Sequence, residues 1–339
     1  MEEFLERERT PENYWRAVIL FGQNVASYKF ALAKSLIELS SRASETIKLE
    51  ELAEPFSRHI VEHLANAPKQ ATSASSRFLE SCRKFSAGTL GRDELIGQTA
   101  RLGFNNVIDA FHIVNRDELP MRFFVDERQS GGGIRLTDEL FRLRERLQFG
   151  NLPQEVEARW RLVETAWQLR VTRTALAVHV DDESLMILKG HRRTNLTSCR
   201  DALNGYQKGK CFYCFADISV ENASTRLADV DHFLPRMLGQ VDRSSLRLDG
   251  VWNLVLACRD CNRGVEGKSS RLPHRRFLER LDTRNEFFIT SHHPLRETLI
   301  AQTGASRQER VSFLNSTYST AWEWLIHRWE PRAENEAAF

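Results

Sequence analysis

Apolar residues return every three or four positions along much of this chain, the period of a helix that buries one face. Over 12–41 the series Trp15, Val18, Ile19, Phe21, Val25, Tyr28, Leu32, Leu36 and Leu39 predicts helix, and Leu49, Leu52, Phe56, Ile60 and Leu64 predict a second. Ala71–Ser76 is rich in Ser and Ala and reads as a connection or helix start, and further helices are predicted near 77–86 and 92–112. The texture then changes. Met121–Val125, a turn at Ser130–Gly133 and Ile134–Leu136 predict a short hairpin. No strand–helix nucleotide signature surrounds its glycine run, which therefore reads as a loop. Helical spacing resumes over 137–148, 153–170 and 192–206. Leu227–Val230 is strand-like, Leu272–Pro273 ends an element, and Phe277–Leu281 starts another. His292 and His293 are adjacent in an extended stretch, which sends them to opposite faces and favours a structural or substrate contact over a shared metal. Trp322, Trp324 and Trp329 are expected to bury a helix against the body. There is no internal repeat and no low-complexity tract.

Composition narrows the class. At 339 residues the chain has room for about two domains, and 41% hydrophobic with 28% charged residues describes a globular protein rather than a disordered one. No run approaches the ~18 apolar residues of a membrane span. The acidic start Met1–Glu6 lacks the basic-then-apolar order of a signal peptide, so a cytoplasmic protein without membrane contact is expected. Net charge is only +2, but residues 205–280 hold 13 Lys/Arg against 9 Asp/Glu, while 1–204 are balanced. The positive charge is concentrated where a polyanion would be met.

Cysteine usage is more specific. Four of the six cysteines form two pairs, Cys211-Phe-Tyr-Cys214 and Cys258-Arg-Asp-Cys261. In a chain without a secretion signal, doubled Cys-x-x-Cys units read as one structural zinc site. A two-residue spacer folds into a knuckle whose two thiolates reach one tetrahedral ion at ~2.3 Å, and two knuckles close the site to water. Cys82 and Cys199 have no partner at this spacing and read as inert core thiols.

Between and beside the knuckles lie Asp229-Val230-Asp231-His232-Phe233-Leu234-Pro235-Arg236, then Trp252-Asn253-Leu254 running into Cys258, then Asn262 directly after Cys261. The order Asp-His, Asn-Leu and Cys-x-x-Cys-Asn, over about residues 205–275, resembles the HNH endonuclease family with its ββα-metal fold. The resemblance implies His232 as general base, Asp231 and Asn262 as ligands of a catalytic Mg²⁺ or Mn²⁺, and Asn253 as the residue that fixes the loop holding His232. It also implies that the four cysteines hold structural Zn²⁺, one per chain, without touching substrate. The residue types suit the chemistry: a neutral imidazole is available near pH 7, and a carboxylate with an amide oxygen suits a hard cation that keeps open positions for phosphate. The implied activity is hydrolysis of phosphodiester bonds in DNA, with RNA the less favoured polymer.

Two departures from the family pattern stand out. Many relatives carry a lysine three or four residues after the final Asn, whereas Lys268 comes six later, and the loop after Pro235 has only Gly239. Either Lys268 lies on a loop after a short helix, or Arg263 takes its phosphate role. Arg236, Arg259, Arg263, Lys268 and Arg271 are the candidate nucleic-acid contacts, against the alternative of a solvated basic face. The expected architecture is mainly α with a small α+β core. A mostly helical N-terminal domain (1–204) would serve partner docking, self-association or regulation, followed by the zinc-stapled ββα-metal core (205–275) and a helical C-terminal extension (276–339) packing on it. By analogy alone, such a plan resembles bacterial restriction or anti-phage effectors. The rival reading is a non-catalytic zinc-ribbon nucleic-acid-binding module, which accounts for the cysteines and arginines but not for Asp231, His232, Asn253 and Asn262.

Overall fold

The N-terminal periodicity is realised as two helices rather than one. Pro11–Phe21 starts on Thr10, whose hydroxyl accepts from the Asn13 N–H, with Pro11 in the first turn. It stops at Gly22, where a Cβ would lie 2.5 Å from the Val18 carbonyl oxygen. The second helix is Tyr28–Leu39. This computed structural model describes residues 9–339 apart from 23–25, 43, 73–74, 115, 169–178, 182–183, 190–191, 222, 242–247 and 291–294, and without the side chains of 165–166, 168, 179–198, 240–241 and 297. The chain is mainly helical with small sheets and divides into two units, Met1–Leu169 and Arg170–Phe339. The segment 170–204, which the sequence reading grouped with the N-terminal domain, thus belongs to the second unit.

In the first unit, helices Leu49–Asn66 and Arg77–Ser86 follow the expected periodicity. The stretch 92–112 does not stay helical. Arg92–Leu102 ends at Gly103, which sits too close to the Thr99 carbonyl and the Phe56 ring for a side chain, and only one turn, Val107–Ala110, resumes. The expected hairpin forms from Phe124–Glu127 and Gly133–Leu136, with Thr46–Lys48 added as a third antiparallel strand. Asp138–Arg144 and Leu152–Gln168 complete the unit. Its core is aromatic: Trp15 meets Phe111 and Phe123 edge-on, Phe56 stacks on Phe78, and Phe30 on Trp160. Each such side chain contributes about 1.5–3 kcal/mol by leaving water. Cys82 is fully buried here, its thiol pushed up to about 12 by burial, in keeping with an inert core cysteine.

In the second unit, residues 192–206 depart from the helical expectation. Arg192–Ser198 is a strand, and helix begins only at Cys199, running to Gln207. The Thr-rich strand pairs with the apolar Ser184–Lys189, which also pairs with His179–Asp181. Gln207 fastens the helix to the strand Leu254–Ala257: its Nε2 donates to the Leu256 carbonyl and its Oε1 accepts from the Leu256 N–H, both at 2.8 Å. Beyond the candidate site come helices Arg276–Thr290, Arg296–Thr303 and Arg307–Trp324. Arg328–Trp329 then pairs in parallel with Leu272–Pro273. Of the three late tryptophans, only Trp329 is buried, against Tyr213 and Phe277. Trp322 and Trp324, in the last turn of the helix Arg307–Trp324, are about half exposed, whereas the buried stripe Leu314, Thr317, Tyr318 and Ala321 lies further back in the helix. His292 and His293 lie outside the described residues. No helix among the described residues is long and apolar enough to cross a membrane.

A buried charge cluster marks the first unit. His63 Nδ1 lies 2.7 Å from Glu164 Oε1 and its Nε2 3.1 Å from Glu157 Oε2, with the ring stacked on Trp160. Burial alone would lower the His63 pKa, but its hydrogen bonds to the two carboxylates outweigh it and raise the value above 6.5. Burial would raise Glu157, yet His63 and Lys34 hold it far below 4.5. The His63 contribution to stability is full below 6.5 and is lost as pH rises through its raised pKa; that of Glu157 is full above 4.5 and is lost as pH falls. Thermal melts of the first unit should therefore show a loss of stability on the alkaline side of 6.5, and His63→Gln should remove that alkaline slope; His59 and His112, held by burial down to about 3, act in the opposite direction below 6.5. An alkaline slope unchanged in the variant would exclude His63 as its source.

Candidate active site

The four paired cysteines meet at one point. All four Sγ atoms lie within 4.8 Å of one another, and Cys214 and Cys258 are 3.8 Å apart. That spacing is the edge of a tetrahedron with metal–sulfur bonds of ~2.3 Å, so the donor set fits zinc in both chemistry and size. Local backbone explains each knuckle. After Cys214 the chain turns through Phe215 in the left-handed region (φ 57°), which lets the Cys211 N–H reach the Ala216 carbonyl at 2.8 Å. Cys258 caps the helix Arg259–Arg263, its Sγ accepting from the Cys261 N–H. Burial, with the crowding of neighbouring thiols, pushes Cys211 up, while hydrogen bonds led by that from Cys211 pull Cys258 down. Four thiolates this close would repel one another without a cation, and a dication would hold all four as ligands.

Above this cluster, Asp229–His232 pairs antiparallel with Leu254–Ala257, Asp231 opposite Val255 and His232 opposite Leu254. The hairpin and the helix Arg259–Arg263 make a strand–strand–helix unit whose corner is the cysteine cluster. His232 is partly exposed at the end of its strand. Burial, with the charge of Arg236, pushes its pKa down to about 4 despite Asp249, so the imidazole is neutral near pH 7. Arg236 Nε lies 3.1 Å from His232 Nε2. Asp249 Oδ1 lies 3.1 Å from the same nitrogen and 2.5 Å from Arg236 Nε.

Asn253 is fully buried and tied at all its polar atoms. Its Oδ1 accepts from the Leu234 N–H at 2.8 Å, and its Nδ2 donates to the carbonyls of Leu234 and Leu248 at 2.9 and 2.8 Å. It thereby pins the segment after His232 to the segment that carries Asp249.

The carboxylates are arranged differently from the sequence-derived ligand pair. Asn262 Nδ2 lies 3.1 Å from Asp229 Oδ2, and Arg263 pairs with Asp229 Oδ1 at 2.9 Å. Asp231 is 6% exposed, and its oxygens face Tyr213 and Lys268: the Tyr213 hydroxyl donates to Oδ2 at 2.6 Å and the Lys268 ammonium lies 3.2 Å from Oδ1. Burial raises the Asp231 pKa against the lowering influence of Lys268 and Tyr213. Asp229 and Asp231 alternate onto one face of the strand, so the face presents two carboxylates where the sequence reading used one. The alternation in Asp229-Val230-Asp231 was the available signal for Asp229; Asp249 and Tyr213, distant in sequence, had none.

Lys268 is not part of the basic surface. The helix ends after one turn and a half at Arg263, and the loop Gly264–Gly267 turns Lys268 inward, where it is buried and donates to the His232 and Ser269 carbonyls at 3.0 and 3.1 Å. A Cβ on Gly264 or Gly267 would lie 2.6–2.7 Å from the Asp260 carbonyl oxygen, so both glycines are needed for this close approach. Arg236 and Arg263 are exposed but paired with Asp249 and Asp229. Arg259 is exposed and forms no ion pair among the described residues, and Arg271 bonds only to the Gly267 and Lys268 carbonyls.

Two expectations follow. Cys258→Ser should lower bound zinc from about one per chain and lower the melting temperature of the second unit, because structural zinc binding is folding energy; unchanged metal content and melting would contradict the site. Asn253→Ala leaves three buried backbone groups without partners and should cost at least about 1–3 kcal/mol in urea unfolding.

Comparison with protein-family models, curated proteins and solved structures finds no match to this chain, so its chemistry is read from the residues above.

Proposed function

We propose that the second unit is a metal-dependent endonuclease of the HNH, ββα-metal kind, hydrolysing phosphodiester bonds in DNA. The observation that carries this reading is a neutral, solvent-reaching His232 next in sequence to a buried carboxylate, on a hairpin held by Asn253 and by a zinc-type cysteine cluster. His232 Nε2 is the lone pair that takes a proton from water. Arg236, 57% exposed on its side chain, can leave that nitrogen for a phosphate oxygen. Asp229 and Asp231, with the amide oxygen of Asn262, supply the hard oxygen donors that would hold Mg²⁺ or Mn²⁺, which when bound provides Lewis acidity at the scissile phosphate. Asn253 keeps His232 from drifting relative to the strand, the positional control that a base at hydrogen-bond distance requires.

The buried Asp231–Lys268 pair favours a second reading, a zinc-stapled nucleic-acid-binding module without turnover, since the ammonium already neutralises the carboxylate. Plasmid cleavage decides between them. Wild type should nick supercoiled plasmid with Mg²⁺ or Mn²⁺ before any linear form appears, and His232→Ala should lose ~10²–10⁴-fold while still binding DNA. Asp229→Asn should impair cleavage alongside Asp231→Asn. Ends should carry a 5′-phosphate and a 3′-hydroxyl that ligase reseals; a 3′-phosphate or cyclic phosphate would sink the mechanism, and inactivity of wild type with either metal would leave the binding module.

A further inference from the structure

Beside the candidate site lies an open groove of about 640 Å³. It is continuous with the site through Arg263, which follows Asn262 and pairs with Asp229, and through Met237, which follows Arg236. One wall is the loop Gly264–Gly267, the extra residues that separate Asn262 from Lys268. The other is the segment Trp324–His327 after the last long helix. Both walls are unusually apolar for a surface: Trp324 is 54% exposed, Ile326 85%, and Val265 fully so. No ring or cation stacks on Trp324 among the described residues. Arg263 and Arg271 line the groove and no carboxylate among the described residues does, Glu266 of the loop pairing with Arg332 instead; Arg263 is held by Asp229, which leaves Arg271 as the cation with no carboxylate partner among the described residues.

Exposed apolar side chains beside an arginine with no carboxylate partner among the described residues fit a ligand with a flat apolar face and an anionic backbone. We propose that this groove binds an unpaired nucleotide of the DNA substrate, its base stacked on Trp324 and its phosphate on Arg271, so that the protein selects DNA with a single-stranded segment beside the scissile bond. The proposal rests on the nuclease reading for the position of that bond. In a duplex, both faces of each base are covered by neighbours, so an aromatic platform discriminates unpaired from paired nucleotides. The groove volume also suits a nucleotide, being within the 300–1,000 Å³ or so of small-ligand sites. Arg271 is the better phosphate contact of the two arginines, since Arg263 is already paired with Asp229.

The test is fluorescence anisotropy of the full chain with a labelled single-stranded DNA oligonucleotide and with the same sequence as duplex, without added Mg²⁺ or Mn²⁺ so that nothing is cut. Trp324→Ala should weaken single-strand binding about tenfold or more, as loss of one stacked base predicts, and change duplex binding less than about twofold. Trp324→Phe should restore most of the affinity. Ile326→Glu, on a side chain that supports no core, should give the same selective loss by placing a carboxylate in the groove. Thermal melts should be unchanged in all three. Equal effects on both DNA forms, no effect on either, or full affinity in Ile326→Glu would overturn the subsite. Selective loss in a wild type that never cuts would instead sink the nuclease reading and keep the subsite, and cutting without selective loss would do the reverse.

Discussion

Convergence of four thiols on one point is the constraint that the second unit depends on. Cys211 and Cys214 belong to a knuckle docked on the strand Leu254–Ala257 through the Phe212 N–H, and Cys258 is at once a member of the cluster and the cap of the next helix. Closing the cluster therefore sets where the helix begins, and with it the position of Asn262 opposite Asp229. The energy involved is large for so small an element. Structural zinc contributes roughly 10–16 kcal/mol in small domains, comparable to the whole stability of a typical fold. A hairpin of two four-residue strands has no such reserve of its own.

What could be read in the sequence was whatever depends on short spacing. The cysteine knuckles, the helices Leu49–Asn66 and Arg77–Ser86, and the hairpin around Ser130–Gly133 each follow from residues a few positions apart. Asn253 was placed by the resemblance to the HNH pattern rather than by its spacing, and its three hydrogen bonds tie the segment after His232 to that carrying Asp249. What was not legible is pairing and termination that apolar spacing does not encode. Arg192–Ser198 is a strand because the neighbouring Ser184–Lys189 pairs with it, and the first helix ends where Gly22 turns to an extended backbone too close to the Val18 carbonyl for a side chain. Trp322 and Trp324 were misplaced by treating aromatic content as burial; the buried stripe of their helix stops at Ala321, one turn before its end.

The placing of Lys268 shows how one loop alters the meaning of a residue. With five residues between it and Asn262, the chain has length enough to fold back, and Gly264 and Gly267 allow the tight return. The lysine then becomes an internal cation that joins Asp231 to the backbone of His232. Such a pair gains little net energy after desolvation, but removing either partner strands a buried charge. Its effect is to lock the strand end on which His232 sits.

The carbonyl of Cys214, in the first knuckle, accepts hydrogen bonds from both the backbone and the side-chain N–H groups of Asn335, at 2.9 and 3.0 Å, and the Lys208 ammonium donates to the Ala338 carbonyl at 2.8 Å. Phe339 lies against Phe215 and Tyr206. These partners are made long after the knuckles they cover. At ribosomal rates of about 5–20 residues per second, several seconds separate synthesis of Cys261 from that of Asn335. During that interval the cysteines are already present and these later contacts are not, which defines a window in which a metal ion can reach the four thiols before the C-terminal residues pack beside them.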